Sequence, residues 1–323
     1  MHKIFSVLIF TVCLVSCDEK KSEKTLLDSS GNINDISVVV DNESWKGALG
    51  ESIRNVLAAP VYGLPQEEPM FNINQIPTAV FDGFVTRNRT ILKIEQGKEA
   101  DTKFLKNVYA QPQKVVVVSG KTNDEIINQL QSNASKIISV FKNMEMFEKQ
   151  RLIKKSLYNS SFLKEKIGVD INFPTAYRVA KDDGTFFWIR KDINTGTLNL
   201  MIYELPHDRI RRNDSIIRQI VAIRDSIGQA HIEGPTEGSY MITENAYTPF
   251  SQATQIDDKP TIETKGMWEV ENAFMAGPYI NYAIEDKSNN RWIVAEGFTF
   301  APSVEKRDYM FELESIIRSI KIE

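Results

Sequence analysis

The sequence predicts an α+β fold with mixed, largely antiparallel sheets, packing helices and two lobes. Short β-branched apolar runs alternate with segments whose apolar residues recur at helical spacing. After residue 168, tight-turn sequences separate neighbouring strand patterns, which is typical of antiparallel hairpins. A long helical pattern over residues 121–167 lies between the two strand-rich parts, so we expect lobes at 36–167 and 168–323, with one continuous domain over 36–323 as the alternative.

The composition is that of a globular protein, with 42% hydrophobic and 25% charged residues. The net charge is -4, or -5 without Lys3 (38 basic against 43 acidic residues), so nucleic acid is not an expected partner. The only cysteines are Cys13 and Cys17, which leaves no thiol after residue 17 for a disulfide or a thiolate metal site.

The first 16 residues are typical of a signal peptide, since a short basic start precedes an apolar run over residues 4–15. This run is shorter than the ~20 apolar residues that cross a bilayer. The string Leu14-Val15-Ser16-Cys17 resembles the bacterial lipobox, in which the cysteine is acylated and becomes the N-terminus. We therefore expect Cys17 to anchor an exported lipoprotein through acyl chains and residues 17–35, which are charged and rich in turn formers, to be a flexible tether. An ordinary cleaved signal peptide is the alternative.

The first lobe shows strand patterns, one long loop and two helical patterns. Ser44 is expected to cap a helix that carries Trp45 towards the core and ends at Pro60. The Pro-rich loop that follows contains Glu67 and Glu68, which we expect to be solvated rather than an acid–base pair. A capping box, Thr122 with Glu125, opens the long helical pattern. The predicted strands are 36–40, 84–85, 91–94 and 114–118.

The second lobe shows more strands and two further helices. The turn sequences 182–184 and 194–196 join three predicted strands, which gives Asp182 and Asp183 a turn-forming role. Asp214 is expected to cap a helix that Gly228 closes, and Pro302 precedes a final helix over 307–320. The predicted strands are 171–179, 185–191, 197–203, 240–243, 267–271, 279–285 and 292–300.

No residue set specifies a reaction. His207 and His231 lack a second ligand at helix-face spacing and no nucleophile elbow accompanies them, so we expect both to be structural or solvated. No Walker loop or dinucleotide fingerprint is present, so neither a cofactor nor a metal is expected. Dispersed carboxylates could still meet as a glycosidase pair after folding.

Two further features have competing explanations. Arg209, Arg211 and Arg212 could contact lipid headgroups or an acidic glycan, although charge runs next to a helix cap are usually solvated faces. Ser215 and Ser226 each stand in an Asp-Ser-Ile string that matches an O-glycosylation pattern of Bacteroidota, and helix capping explains the same residues.

Several longer strings are far more distinctive. They are Ala59–Pro69, Tyr109–Gln113, Phe173-Pro174, Phe187–Arg190, Gly266–Glu269, Met275–Pro278, Glu296–Phe298, Ala301-Pro302 and Lys306-Arg307. On these strings, nearly the whole chain after the tether resembles a family of uncharacterised Bacteroidota lipoproteins, a domain-of-unknown-function family. The resemblance implies an envelope location and an architecture but no reaction. The strand–strand–Pro–helix ending is also similar in arrangement to small α/β sandwich domains of the PsbP kind, which licenses no function.

We therefore expect a lipid-anchored cell-envelope protein at the outer membrane, on either its periplasmic or its surface face. Its expected activity is non-catalytic binding of an envelope protein or a glycan, or assistance to envelope assembly. The alternative is a hydrolase of envelope polymers, which predicts two carboxylates about 5–10 Å apart in a groove. A structural spacer predicts no concave apolar pocket.

Overall fold

The computed structural model describes residues 26–323. The predicted signal peptide, lipidated Cys17 and residues 18–25 of the predicted tether lie outside the described residues, whereas residues 26–35 of that tether are described and include β1. None of the helices from residue 26 onward is long and apolar enough to cross a membrane.

The described part of the chain contains seven α-helices and seventeen strands. The helices are α1 (Asn42–Lys46), α2 (Ala48–Leu57), α3 (Asn123–Ser132), α4 (Ala134–Ile153), α5 (Ser161–Ile167), α6 (Ile216–His231) and α7 (Arg307–Ile317). The strands are β1 (Leu27–Asp28), β2 (Asp35–Val39), β3 (Asn72–Ile76), β4 (Thr90–Gln96), β5 (Asp101–Lys106), β6 (Ala110–Gln111), β7 (Lys114–Gly120), β8 (Val169–Asp170), β9 (Arg178–Asp182), β10 (Phe186–Ile193), β11 (Gly196–Pro206), β12 (Met241–Thr243), β13 (Phe250–Ile256), β14 (Lys259–Val270), β15 (Ala273–Asp286), β16 (Arg291–Phe300) and β17 (Lys321–Ile322).

The N-terminal lobe is built on a five-stranded sheet in the order β3-β2-β4-β7-β5. Strands β2, β3, β4 and β7 are parallel, and β5 runs antiparallel to β7. Helices α2, α3 and α4 cover one face, where Ile36, Leu92 and Val116 pack against Ile53 and Phe141. The near-continuous apolar runs of β2, β4 and β7 follow from this burial.

The C-terminal lobe is built on an eight-stranded antiparallel sheet in the order β12-β14-β15-β16-β11-β10-β9, with β13 also paired to β14. Helix α7 covers one face and α6 the other, so the sheet separates two hydrophobic cores. At Gly297 on β16, a Cβ would stand 2.7 Å from Cβ of Leu313 on α7, so glycine permits this close approach. The α+β class and the antiparallel hairpins are as the sequence predicts.

Several predicted elements are wrong in detail. Residues 83–87 form a 3₁₀ turn instead of a strand at 84–85, and β9 begins only at Arg178 rather than within a strand over 171–179. Ser44 lies inside α1, which already begins at Asn42, so it is not a cap. Extended backbone at Gly47 separates α1 from α2. Trp45 is partly buried, with the Arg54 guanidinium 4.7 Å from its ring centroid. Strand β13 was not predicted at all.

The helix caps were predicted with mixed success. Thr122 Oγ1 accepts a hydrogen bond from the Glu125 amide at 3.3 Å, as a capping box requires, whereas the Glu125 carboxylate accepts from the Lys121 amide. Asp214 makes no cap, since α6 begins at Ile216 and continues past Gly228 to His231.

Glu68 is the clearest correction to the sequence prediction. It is buried, while its neighbour Glu67 is exposed. The Glu68 carboxylate accepts hydrogen bonds from the amides of Lys306 and Arg307, the shortest at 2.7 Å, at the start of α7. Such a carboxylate satisfies amides that have no partner inside the helix. A loop of the N-terminal lobe therefore caps a helix of the C-terminal lobe.

Candidate ligand groove

A groove of about 550 Å³ opens on the face of the large sheet that α6 covers in part. It lies beside residues 232–235, where the chain leaves α6. Its size is within the ~300–1,000 Å³ that is usual for small-molecule sites. The remaining wall comes from β10, β11, β14, β15 and β16; its aromatic and sulfur-containing members are Trp188, Trp268, Met275, Phe298 and Phe300.

The floor of the groove is aromatic. Trp268 and Phe298 are buried, with ring centroids 5.5 Å apart and nearly perpendicular planes. Phe300 lies 6.4 Å from Trp268 and is partly exposed, as is Trp188 on β10. Phe298 and Phe300 share a face because alternate residues of a strand point the same way. The ring faces available to a ligand are therefore those of Phe300 and Trp188, beside a buried aromatic floor.

Glycine at position 277 makes room for this floor. A Cβ at Gly277 would stand 3.0 Å from Trp268 Nε1 and 2.1 Å from the Thr299 carbonyl oxygen. The Trp268 indole nitrogen is buried and has no hydrogen-bond partner within residues 26–323. An unpartnered buried donor costs stability.

Polar side chains connect the floor to the rim. The Trp188 indole Nε1 donates to Asn199 Oδ1 at 3.1 Å, and Asn199 Nδ2 donates to Thr197 Oγ1 at 3.0 Å. Asn199 is buried, so these bonds fix its amide and hold the Trp188 ring in place. At the rim, Arg190 Nε donates to the exposed Asp192 carboxylate at 3.0 Å. The groove thus combines aromatic faces with planar polar groups.

A buried ion pair fixes α6 next to the groove. Arg224 of α6 donates to the Glu296 carboxylate of β16 at 2.9 Å, and both side chains are almost wholly inaccessible to solvent. Burial raises the pKa of Glu296, and the Arg224 charge opposes that rise. Arg224 also donates to Thr243 Oγ1 and lies 3.9 Å above the Tyr279 ring. The helical spacing of apolar residues did not reveal this arginine as a core residue.

A second cavity, of about 440 Å³, lies between the lobes, and Glu314 forms part of its wall. Glu263 and Glu314 both lie within hydrogen-bond distance of the Tyr282 hydroxyl, at 2.8 and 3.3 Å. Both carboxylates also receive a hydrogen bond from Arg318.

Neither carboxylate of this pair is tuned to donate a proton. Burial raises the pKa of Glu314, but the charges of Lys142, Lys265 and Arg318 outweigh it and lower the pKa to about 2. The pKa of Glu263 is also lowered, since nearby cations outweigh its burial. A general acid needs a raised pKa, so this cluster is better described as an ion network that joins the lobes.

The two histidines occupy different surroundings. His207 Nε2 lies 3.0 Å from a Glu285 carboxylate oxygen. His231 stacks on Phe186 with ring centroids 4.0 Å apart, and burial together with the nearby Lys181 lowers its pKa. Neither histidine lines the groove.

The arginine cluster is divided by the fold. Arg212 is paired with Glu285 at 3.0 Å, whereas Arg209 and Arg211 are exposed. Ser226 is exposed and donates to the Ala222 carbonyl at 2.8 Å, and Ser215 is partly buried. These contacts are those of a solvated helix face. No group of three or more His, Cys, Asp or Glu side chains from residue 26 onward is arranged to hold a metal.

The matches to family models agree with this division into two sheets. Residues 29–154, which contain the five-stranded sheet, match the model described as Domain of unknown function (DUF8532). Residues 156–319, just over half of the chain, match Domain of unknown function (DUF4837). The chain belongs to the DUF4837 family. Its groove is formed wholly within the residues that this model covers.

Other comparisons add little. No curated protein matches the chain. The solution structure of cyanobacterial PsbP from Synechocystis is 12% identical, with a TM-score of 0.34 over 52% of this chain and 93% of that one. The lipid transfer and protein localization domain of human StarD13 is 10% identical, with a TM-score of 0.22 over 44% of this chain and 88% of that one. Likenesses this weak carry no argument about activity.

Proposed function

We propose that this DUF4837 protein is a non-catalytic, lipid-anchored protein of the bacterial cell envelope that binds a glycan strand in the groove. The observation that carries the binding role is the groove itself, an aromatic floor bordered by fixed planar polar groups. Pockets with apolar walls and a few oriented polar groups are the usual form of small-molecule sites.

A glycan fits this chemistry better than a purely apolar ligand does. The C–H faces of pyranose rings stack on aromatic side chains such as Trp188 and Phe300, while sugar hydroxyls need the donors and acceptors that Arg190 and Asp192 supply at the rim. The distinctive strings that contain Trp188, Trp268 and Phe298 meet here, although they are far apart in the sequence.

The anchoring half of the proposal comes from the sequence. The apolar run and the lipobox-like string ending at Cys17 support export and acylation, and the strings quoted above support an origin in Bacteroidota. Asp18 directly after Cys17 resembles an inner-membrane retention signal, and the acidic stretch also resembles a surface-export signal, so the preference for the outer membrane comes from the family resemblance. Two or more acyl chains hold a protein stably on a bilayer. The test of this half is Cys17→Ser, which should move the protein from the detergent phase to the aqueous phase.

Binding is tested with the purified full-length protein, isolated peptidoglycan sacculi and soluble N-acetylglucosamine oligomers. We expect co-sedimentation with sacculi and saturable binding of at least one oligomer by calorimetry. Trp188→Ala should weaken binding at least tenfold, because it removes both a stacking face and the partner of Asn199. The matched control is Phe147→Ala on α4, which removes an exposed aromatic ring from the other lobe and should leave binding unchanged.

Two results would contradict the proposal. The first is failure of the wild-type protein to bind either sacculi or oligomers. The second is a loss of binding in Phe147→Ala as large as the loss in Trp188→Ala. Either result would exclude the groove as a glycan site. Steady release of new reducing ends that Glu263→Gln abolishes would instead establish the hydrolase alternative.

A further inference from the structure

We propose that the loop of residues 78–88, together with β1, is the face that rests on the bilayer to which the protein is anchored. This inference rests on the proposed acylation of Cys17. It concerns a surface on the N-terminal lobe, whereas the glycan groove lies on the C-terminal lobe.

The first argument is exposure of apolar side chains on this face. Phe84 is 68% exposed, Leu27 is 62% exposed and Val80 is 57% exposed. The exposed Phe84 and Val80 belong to one short connection between β3 and β4, two 3₁₀ turns over residues 78–80 and 83–87. Isolated exposed apolar residues are ordinary, but several grouped on one loop mark a contact surface.

The second argument is that this loop and β1 are held together. Ser30 N donates to the Arg87 carbonyl at 2.9 Å, and the Arg87 guanidinium donates to the Asp28 carbonyl at 3.1 Å. The same guanidinium lies 5.5 Å from the Phe84 ring centroid. Arg87 therefore links the exposed ring to the strand that continues towards the N-terminus. An arginine beside an apolar ring also suits the headgroup region of a bilayer.

The third argument is the reach of the chain outside the described residues. Eight residues separate Cys17 from Leu26, so the nine steps of chain between them, even fully extended, can span only about 30 Å. A body of this length measures roughly 50 Å across, from the usual scaling of the radius of gyration. An acylated Cys17 therefore keeps the surface around Leu27 nearer the bilayer than the opposite side of the protein.

The buried side of the loop shows that its exposed residues are not a packing requirement. Phe81 packs edge-on against Tyr109 at 5.5 Å and joins Val39, Ile91 and Val115 in a small core. This contact covers the second face of the five-stranded sheet. Phe84 makes no such contribution to a core in the described chain, so its ring is available to a membrane.

The experiment uses single cysteines, which are specific here because the predicted mature chain has no thiol other than Cys17, and acylation would block that one. Phe84→Cys and Val80→Cys proteins are labelled with an environment-sensitive fluorophore and reconstituted into phosphatidylethanolamine–phosphatidylglycerol vesicles. The matched control is Phe274→Cys, at a fully exposed phenylalanine near the tip of the β14–β15 turn in the C-terminal lobe.

We expect a blue shift of at least 10 nm on vesicle binding and strong quenching by brominated lipids at positions 84 and 80. Position 274 should show neither. Equal emission and quenching at all three positions would overturn the inference. Vesicle flotation of each labelled protein, with Cys17→Ser as the non-anchored control, shows separately whether acylation holds. A protein that floats without a shift at position 84 refutes this face and leaves the anchor intact.

Discussion

Replacing Arg224 with methionine is expected to destabilise the C-terminal lobe strongly. The substitution keeps the apolar stem of the side chain but removes its charge from a site where the Glu296 carboxylate, 2.9 Å away, has almost no access to water. Leaving one partner of a buried ion pair alone costs about 3–5 kcal/mol. For a domain of this size, each 1 kcal/mol lowers the melting temperature by about 2–4 °C, so the decrease should be about 6–20 °C.

The pH dependence of this loss distinguishes the ion pair from simple packing. Burial raises the pKa of Glu296, and the loss of Arg224 removes the charge that opposes that rise. The folded variant then holds a proton that the unfolded chain releases at neutral pH, so its stability falls as pH rises. Chemical denaturation should show a smaller deficit relative to wild type at pH 5 than at pH 8.

Two further variants complete the test. Adding Glu296→Gln to Arg224→Met should restore at least ~1 kcal/mol, because a buried glutamine is neutral without taking up a proton and residues in contact couple by about 0.5–3 kcal/mol. Arg218→Met, at an exposed position of the same helix, should stay within about 0.5 kcal/mol of wild type. A pH-independent deficit, or a double variant no more stable than Arg224→Met, would refute the reasoning.

Three other predictions concern single side chains. Glu68→Ala should lower the free energy of unfolding by about 2–4 kcal/mol, since two amides at the start of α7 lose their acceptor. The control Glu67→Ala should change it by less than about 0.5 kcal/mol. Equal effects of the two substitutions would show that Glu68 does not cap the helix. In NMR titrations the His231 ring should protonate below its ordinary range, and Lys181→Ala should raise its midpoint by removing a positive charge; an unchanged midpoint would exclude that cause. The pKa of Glu314 is lowered to about 2 in the folded protein. The ionised carboxylate therefore stabilises the fold at pH values above the pKa of the unfolded chain, and this stability is lost as the pH falls towards 2. Acid unfolding curves of Glu314→Gln should lack this pH-dependent loss of stability.

Local patterns predicted those elements whose stability is decided locally. Four residues, from Thr122 to Glu125, predict the cap of α3. A turn sequence between two apolar runs predicts the hairpin of β10 and β11. Strand β13 was missed because its sequence is mostly polar and it pairs only along one edge of β14. The strand expected at residues 84–85 is a 3₁₀ turn in which Phe84 faces outward rather than into a sheet.

The candidate site could not be predicted in the same way. Its floor depends on the strand order β14-β15-β16-β11-β10, which brings Trp268, Phe298 and Trp188 together from distant segments. The buried state of Glu68 likewise depends on a partner far along the chain. The aromatic residues within distinctive strings were the only available signal, and no spacing rule connects them.

The cap that Glu68 provides affects the order in which the molecule can be completed. Its partner, the Lys306 amide, follows 238 residues later. In a chain that is synthesised or exported from its N-terminus, the Glu68 loop therefore lacks this partner until the final segment emerges. Contacts between such distant residues form late and slowly. A truncation before Lys306 would therefore remove more than a terminal helix, since the Glu68 carboxylate would also lose the two amide donors that hold its loop against the C-terminal lobe. Such a chain would be incompletely packed and therefore accessible to quality-control proteases.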